Sequence, residues 1–423
     1  MEESLNYYIV LDWGFTRFKL WGLDHNKNIV KEKFIFIKES NKQPEFYVKN
    51  NLKFISSEIN KFILETNSNF NNLIILSSCQ MHCIAGILNN DDPFLSTWND
   101  LPVNSNSDFI ETINGQPTLF SMPINKIFTS KNDFFLETES SKKLYSKGEL
   151  KIKLFMTPMQ LIYKYFLGLN ANPSNFFWES SCLSNACISK SESNKKEFKN
   201  SFTSIETSNY FNRKIKLKIY PELGDLQAST YSSLIKSDIV INWGTGSQII
   251  FNKKYEISYK NYFRRFPNLG KINVISHIPC GRLLSDYCHY NDLSYMDLIN
   301  EFDNVNLNNF KQETENNHSL LYFPGFDTKE FEYRNQVNTT LKQISQYSLR
   351  KLICLWLDQY IKIIKSISKV NAEKNSYRII ICGELGGISI KAIPLLKKIL
   401  HPKYLVELGK DKLPESIMKC AKL

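Results

Sequence analysis

The chain has 423 residues, of which 42% are hydrophobic and 22% are charged. This balance is typical of a soluble globular protein and excludes a disordered, collagen-like or membrane-embedded chain. No apolar run approaches the roughly 18 residues that a bilayer-spanning helix needs. The acidic start, Met-Glu-Glu-Ser, is not followed by a signal-peptide pattern. The sequence therefore predicts a cytoplasmic enzyme or binding protein of about two to four domains.

The formal net charge of +11 raises the question of nucleic-acid binding. Of the 53 basic residues 45 are lysine, and no dense basic run occurs. This distribution favours a solvated lysine-rich surface, so neither a nucleic acid nor a membrane is expected as a partner. The nine cysteines contain no CxxC pair, which indicates reduced thiols in a reducing compartment. Whether the chain forms a homodimer is left open.

The first half begins with three predicted strands separated by tight turns. The first strand ends in Asp12 and is broken by Gly14. An amphipathic helix with apolar residues near a 3.6-residue period and a short apolar strand follow. The predicted ranges are residues 7–11, 15–23 and 29–37 for the meander, 47–65 for the helix and 73–76 for the last strand.

The second half repeats this order of elements. A strand over residues 239–241 ends at Asn242, and Gly244-Thr245-Gly246 breaks it. Asp12-Trp13-Gly14-Phe15 and Asn242-Trp243-Gly244-Thr245 occupy the same place in each meander. The remaining predicted ranges are strands 248–251 and 255–259, a helix 341–367 and a strand 377–381.

Two copies of one pattern predict two related α/β domains. We place the boundary near residues 226–235, which gives domains 1–230 and 231–423. A cleft between two such domains is the expected ligand site.

Three glycine turns follow predicted strands and would expose backbone N–H groups to phosphate. They contain Gly14, Gly244-Thr245-Gly246 and Gly383-Glu384-Leu385-Gly386-Gly387, and each would also serve as an ordinary turn. Neither a Walker A sequence nor a GxGxxG fingerprint is present. Asp12 beside such a turn would orient hydrated Mg²⁺ or simply cap the turn. Asp225 would act as a general base or as a helix N-cap.

Polar residues replace apolar ones after the strand at 73–76, in Ser77 to Cys83. Ligands of α/β folds gather at this end of the strands, although a single histidine such as His82 is commonly structural. Downstream, Thr97-Trp98-Asn99-Asp100 combines an aromatic ring with polar side chains. That combination suits sugars and also occurs in plain loops.

Together and in order, these segments resemble the FGGY carbohydrate kinases of the actin/hexokinase/Hsp70 superfamily. The resemblance implies two ribonuclease H-like domains around a central cleft. It also implies ATP and Mg²⁺ as cofactors and a small sugar as the partner substrate. The implied ATP-binding residues are Thr16, Lys19, Gly244, Thr245, Gly246, Gly383, Gly386 and Gly387. The implied sugar-binding residues are Gln80, Met81, His82, Trp98, Asn99, Asp100 and Asp225, with Asp225 as catalytic base and Asp12 at the metal.

Within this family, residues 223–233 most resemble the sedoheptulokinases, and Cys280-Gly281-Arg282 resembles a CGGR segment of bacterial members. The opening Asp-Trp-Gly also resembles the 2-keto-3-deoxygalactonate kinases. Phe15 and Arg17 depart from the small residues that are usual in the first phosphate turn, and only 36 residues follow Gly387. The resemblance therefore implies a sedoheptulose kinase, with xylulose, ribulose or 2-keto-3-deoxygalactonate as alternative substrates. A non-catalytic sugar- or nucleotide-binding member of the same fold is the other alternative.

Overall fold

A computed structural model describes most of the chain. The described residues are 5–14, 17–36, 46–65, 70–80, 83–97, 100, 103, 112–113, 116–117, 127–130, 133–167, 205–210, 213–244, 246–252, 262–315, 344–369, 376–383, 385, 387–410 and 412–423. The chain divides into two compact units. The first unit is Met1–Ala228 with Leu413–Leu423, and the second is Ser229–Lys412. The sequence places the last eleven residues in the second domain, whereas the structure groups them with the first unit. The domain boundaries at residues 230 and 231 stay a prediction.

The first unit is built on one mixed sheet, and a smaller sheet and two hairpins accompany it. Its strands are β1 (Asn6–Trp13), β2 (Arg17–Leu23), β3 (Ile29–Phe36), β4 (Phe46–Val48), β5 (Asn72–Cys79), β6 (Ile84–Leu88), β7 (Pro93–Ser96), β8 (Thr112–Ile113), β9 (Gln116–Pro117), β10 (Ile127–Ser130), β11 (Asp133–Leu136), β12 (Ile152–Met156), β13 (Ile205–Tyr210), β14 (Arg213–Ile219) and β15 (Leu223–Gly224). Its helices are α1 (Lys49–Leu64), α2 (Glu139–Leu144), α3 (Pro158–Leu167) and, beginning in this unit, α4 (Asp225–Leu234).

The main sheet of the first unit has the order β13-β14-β5-β1-β2-β3, with β15 also beside β5. β1, β2 and β3 form the predicted antiparallel meander, and β5 lies parallel to β1. Every residue from Tyr7 to Trp13 is buried, as expected for a central strand that is covered on both faces. α1 buries its apolar stripe, which includes Leu52, Ile55 and Ile59, in the same core as β1 and β5. This arrangement brings the ends of β1, β5 and β15 to one edge.

Two sequence boundaries need correction in this unit. The predicted helix over 47–65 begins at Lys49, because Phe46–Val48 pairs as a strand with β7. The predicted strand over 73–76 continues to Cys79, because its polar residues stay paired with β1 and β15.

The second unit repeats the meander and the parallel strands. Its sheet has the order β18-β19-β17-β16-β20-β21, in which β16, β17 and β19 are antiparallel and β16, β20 and β21 are parallel. The strands are β16 (Ile239–Trp243), β17 (Gly246–Phe251), β18 (Tyr262–Phe266), β19 (Gly270–Pro279), β20 (Tyr377–Cys382) and β21 (Tyr404–Leu408). The helices are α5 (Gly281–Tyr290), α6 (Tyr295–Asn304), α7 (Leu307–Glu315), α8 (Leu349–Lys369) and α9 (Ile388–Leu400); α10 (Leu413–Cys420) belongs to the first unit.

The core of the second unit lies on this sheet and is dominated by α8 and α9. Trp243 at the end of β16 packs against Trp356 and Tyr360 of α8. The predicted third strand over 255–259 lies outside the described residues. Among the described helices, none is both long and apolar enough to cross a bilayer.

Candidate active site

Three candidate residues meet at the carboxyl edge of the first unit's sheet. In the strand register, Asp12 of β1 and Leu223 of β15 both lie opposite Ser78 of β5. Gln80 follows β5 by one residue, and Asp225 follows β15 directly. Because neighbouring strands lie about 4.8 Å apart, the backbone at Asp12 and at Leu223 is separated by about 10 Å across this edge. The fold therefore places Asp12, Gln80 and Asp225 at the same edge of this sheet.

The carboxylate of Asp12 is held by two partners. Lys19 Nζ lies 3.0 Å from Oδ2, and Ser78 Oγ donates to Oδ1 at 2.6 Å. The side chain of Asp12 is 8% exposed, whereas that of Lys19 is 34% exposed. The pairing follows from the register, in which Lys19 of β2 lies opposite Asp12 from one side and Ser78 of β5 from the other. Asp12 thus has a fixed orientation, and its cationic partner remains reachable from solvent.

Gln80 carries a buried side-chain amide at the end of β5. Its backbone N–H donates to the Trp13 carbonyl at 3.1 Å, which extends the parallel ladder by one residue. The residue is 4% exposed, and among the described residues neither Nε2 nor Oε1 has a hydrogen-bond partner. An unsatisfied buried polar group costs about 1–3 kcal/mol. A hydroxylated ligand at this edge would satisfy both atoms.

Asp225 is the first residue of α4 and is exposed. Its Oδ1 accepts a hydrogen bond from the Leu226 amide at 2.8 Å. The carboxylate therefore sits at the positive end of a helix. An exposed carboxylate at a strand end is able to accept a proton from a neighbouring hydroxyl.

Asp100 follows β7, which belongs to the separate four-stranded sheet β12-β6-β7-β4. It is 2% exposed. Ser96 Oγ donates to its Oδ2 at 2.8 Å, and the Ser140 amide in the first turn of α2 donates to its Oδ1 at 3.3 Å. These bonds connect the loop after β7 to α2, so Asp100 has a structural role. The contact of Asp100 with sugar stays a prediction.

The second unit carries a neutral counterpart of the Asp12–Lys19 pair. Asn242 of β16 lies opposite Gln248 of β17, and Asn242 Nδ2 donates to Gln248 Oε1 at 2.8 Å. The two meanders thus place a charged pair in one unit and an amide pair in the other. Only the first unit offers a carboxylate at this position.

Two glycines lie close to the backbone oxygens at the start of the turn that contains Gly244. The Gly281 amide, at the start of α5, donates to the Gly244 carbonyl at 3.0 Å, and a Cβ on Gly281 would lie 2.7 Å from that oxygen. Gly383 has a φ of +86°, and a Cβ there would overlap the Trp243 carbonyl. Gly387, with a φ of +91°, caps α9. These glycines therefore let the N-terminus of α5 and the end of β20 approach the backbone at Trp243 and Gly244.

Replacement of Gly383 by alanine is expected to destabilise the second unit. The positive φ alone costs a side chain roughly 1–2 kcal/mol, and the overlap with Trp243 adds to it. The measurement is the melting temperature of the full chain. Gly148→Ala is the matched control, because Gly148 has open space and no positive φ. Equal melting temperatures for the two variants would contradict the expectation.

The other candidate residues fall outside the described part of the chain. They are Thr16, Met81, His82, Trp98, Asn99, Thr245 and Gly386. Arg17 is described: it is exposed at the start of β2, and its guanidinium lies 4.9 Å from the centre of the Phe36 ring.

A magnesium ion with its own full protein ligand set is not supported. Within the described residues, no group of three or more His, Cys, Asp and Glu side chains could hold a metal ion. Magnesium that travels with nucleotide phosphates needs only one or two carboxylates and keeps several waters. Asp12, a single oriented carboxylate at the sheet edge, fits that second mode.

The sequence assigned no role to three residues that the structure connects to these sites. Ser78 holds Asp12, Gly281 contacts Gly244, and the Tyr295 hydroxyl donates to the Leu385 carbonyl at 2.8 Å. The polar run after residue 76 and the resemblance at 280–282 were available signals for the first two. Nothing in the local sequence marks Tyr295.

Comparison with known proteins gives matches among solved structures. No protein-family model and no curated protein matches the sequence. A gluconate kinase from Lactobacillus acidophilus superposes with a TM-score of 0.61 at 11% identity, covering 99% of this chain and 89% of that one. A ligand-bound xylulose kinase from the same organism gives 0.61 at 12% identity with the same coverage. A Plasmodium falciparum glycerol kinase with ADP gives 0.59 at 13% identity, covering 99% and 88%.

These matches establish the fold along nearly the whole chain. The expected fold class, α/β with two ribonuclease H-like domains, is confirmed. The strand order repeats in the two units. In each, three antiparallel strands (β1, β2 and β3 in the first unit, β16, β17 and β19 in the second) continue into parallel strands.

Proposed function

We propose that this protein is an ATP-dependent carbohydrate kinase that phosphorylates the terminal hydroxyl of a ketose. The observation that carries the proposal is the meeting of Asp12, Gln80 and Asp225 at one edge of the first unit's sheet. The shared fold with gluconate, xylulose and glycerol kinases supports the class of reaction. The sequence resemblance at residues 223–233 favours sedoheptulose, with xylulose, ribulose and 2-keto-3-deoxygalactonate as alternatives.

Phosphoryl transfer needs positioning and charge neutralisation more than covalent help from the protein. Asp225 would accept the proton of the sugar hydroxyl as that oxygen attacks the γ-phosphorus and the bond to the β,γ-bridging oxygen breaks. ADP then leaves with the electron pair of that bond. The exposed position of Asp225 at a helix start supports this role.

ATP would be bound by Lys19 and by the glycine turns. In the first unit Lys19 would bind phosphate oxygens, and in the second unit the backbone N–H groups around Gly244 and Gly246 would do so. Gly383 and Gly387 would let adenosine approach the backbone. Asp12 would orient the hydrated magnesium ion that accompanies the phosphates. When bound, that ion neutralises charge on the phosphoryl group.

Gln80 is the described residue that best fits a contact with sugar hydroxyls. Its buried amide presents one acceptor and two donors, and both atoms lack a partner among the described residues. A site built to hydrogen-bond a hydroxyl discriminates against analogues that lack it. The amide would therefore contribute to affinity and to choice of sugar.

Replacement of Gln80 by leucine is expected to raise KM for the sugar by about 10–100-fold, the effect of one lost hydrogen-bonding group. KM for ATP should stay within about threefold, since a sugar contact acts on the other substrate. Initial rates at varied sugar and ATP give both constants. Gln359→Leu is the matched control, because Gln359 is equally buried, with an Oε1 that has no described partner, and lies on α8. An unchanged KM for sugar in the Gln80 variant would remove it from the sugar site.

The function is tested by ADP release from Mg·ATP in the presence of a panel of sugars. The panel contains sedoheptulose, xylulose, ribulose, gluconate, glycerol and 2-keto-3-deoxygalactonate. Turnover with one of the ketoses supports the proposal and names the substrate. Silence across the panel, while ATP or a sugar still raises the melting temperature, would favour the non-catalytic alternative.

A further inference from the structure

A second carboxylic acid, Glu222, lies three residues before Asp225 and is buried. It is 1% exposed. Its Oε2 accepts from the Met159 amide at 2.7 Å. Burial raises the pKa of Glu222 to about 8, so the neutral form predominates at pH 7.

The hydrogen bond from the Met159 amide to Glu222 supplies an acceptor for a free N–H group at the N-terminus of α3. Pro158 at the first helical position has no N–H to satisfy. The third residue, Gln160, donates its amide to Thr157 Oγ1 at 3.0 Å. The second residue, Met159, donates to Glu222. A side chain from the far end of the unit's sequence thus supplies the acceptor that the helix itself lacks.

Glu222 and Ser77 both bond to α3, so their side chains lie on the sheet face that α3 covers. Leu223 pairs with Ser78, so the preceding residue lies level with Ser77. Ser77 Oγ accepts from the Tyr163 hydroxyl at 3.0 Å, and Tyr163 also lies on α3. Tyr163 is fully buried too, and burial raises its pKa. Two bonds therefore fasten α3 to the strand ends, one on β5 and one immediately before β15.

We propose that Glu222 is a positioning residue, whose buried carboxyl anchors the Leu223–Asp225 segment to α3 and thereby fixes Asp225 at the sheet edge. β15 is only two residues long and pairs with β5 alone, so its ladder contributes few hydrogen bonds. The anchor to α3 is a second attachment just ahead of the proposed base. The catalytic consequence rests on the proposed function, whereas the anchor itself does not.

The anchor is tested by hydrogen-exchange mass spectrometry on the full chain. Glu222→Ala should speed exchange by about tenfold both in α3 and in residues 223–228. Glu222→Gln keeps an acceptor oxygen and resembles the neutral acid, so protection should be retained in both segments. Ile59→Val, a mild core truncation in α1 of the same unit, controls for general destabilisation and should leave residues 223–228 unchanged. If Glu222→Ala does not fold, Glu222→Asp shortens the side chain by one methylene and weakens the same bond to the Met159 amide.

Kinetics supply the second readout. Glu222→Ala should lower kcat by about 10–100-fold, with KM for the sugar within about threefold, because a displaced base harms the transition state more than binding. Glu222→Gln should retain at least about a third of kcat. Loss of protection in α3 alone, with residues 223–228 and kcat unaffected, would make Glu222 only a helix cap and overturn the proposal. If the unaltered protein turns over no sugar, the proposed function fails, and the exchange result still decides whether the anchor exists.

Discussion

Asp225→Asn is expected to lower kcat for sugar phosphorylation by about 10²–10⁴-fold, the usual contribution of a general base. The asparagine side chain keeps an oxygen that can accept from the Leu226 amide, so the start of α4 should keep its geometry. What it loses is the ability to take up the proton of the attacking hydroxyl. KM for the sugar should remain within about threefold of its original value. Initial rates at saturating Mg·ATP measure both constants.

The matched control for this substitution is Asp297→Asn. Asp297 also lies in the first turn of a helix, where its Oδ2 accepts from the Ser294 amide at 2.8 Å. Asp297 belongs to the second unit and to no candidate site, so the kcat of Asp297→Asn should equal that of the unaltered protein. A turnover number of Asp225→Asn close to that of Asp297→Asn would remove Asp225 from the catalytic role.

Asp12→Asn is expected to lower kcat with Mg·ATP by about 10–100-fold, as for other residues that orient a metal ion through its bound water. The magnesium concentration that gives half the maximal rate should rise. Asparagine preserves the volume and an acceptor for Ser78 Oγ, whereas the charge that faces Lys19 is removed. A magnesium titration of the rate at fixed ATP measures the change, with KM for the sugar as the internal reference.

Glu58→Gln provides the control for loss of a carboxylate with lysine partners. Glu58 binds Lys33 at 2.7 Å and Lys61 at 2.9 Å. It lies on α1 and away from the strand ends, so magnesium dependence should not change. If Asp12→Asn leaves that dependence unaltered, the proposed place of the metal is wrong.

The elements around the glycine turns were largely predictable from sequence. Apolar runs that end in Asp12 and Asn242 are strands β1 and β16, and each is followed by its antiparallel partner. These signals are local, because strand formers and a glycine break lie within a few residues of each other. The helix predicted over residues 341–367 likewise corresponds to α8, which begins at Leu349 instead.

The polar end of β5 was not predictable from local pattern. Ser77, Ser78 and Cys79 look like a loop, but the strand continues because strands on both sides pair with it. The hydroxyl groups of Ser77 and Ser78 are satisfied by Tyr163 and Asp12, which are 86 and 66 residues away in sequence. Periodicity contains no information about such distant partners.

Two further features depend on packing that the sequence does not display. The Asn-rich stretch after residue 304 contains helix α7, which buries Phe310. The final helix α10 packs against β5 of the first unit, although it follows the whole second unit in sequence. Glu222 belongs with these cases, since Glu before Leu-Gly-Asp indicates nothing about an acceptor for the amide of Met159.

The most direct test of sugar phosphorylation follows the γ-phosphoryl group of ATP itself. The protein is incubated with γ-labelled ATP, magnesium and the ketose that gives the highest ADP release, and the products are separated and identified by mass spectrometry and ³¹P NMR. We expect label in a phosphate monoester at the terminal carbon of the sugar, formed in equal amount to ADP and strongly reduced in Asp225→Asn. Label found only in inorganic phosphate, or no label transfer with any sugar of the panel, would contradict it.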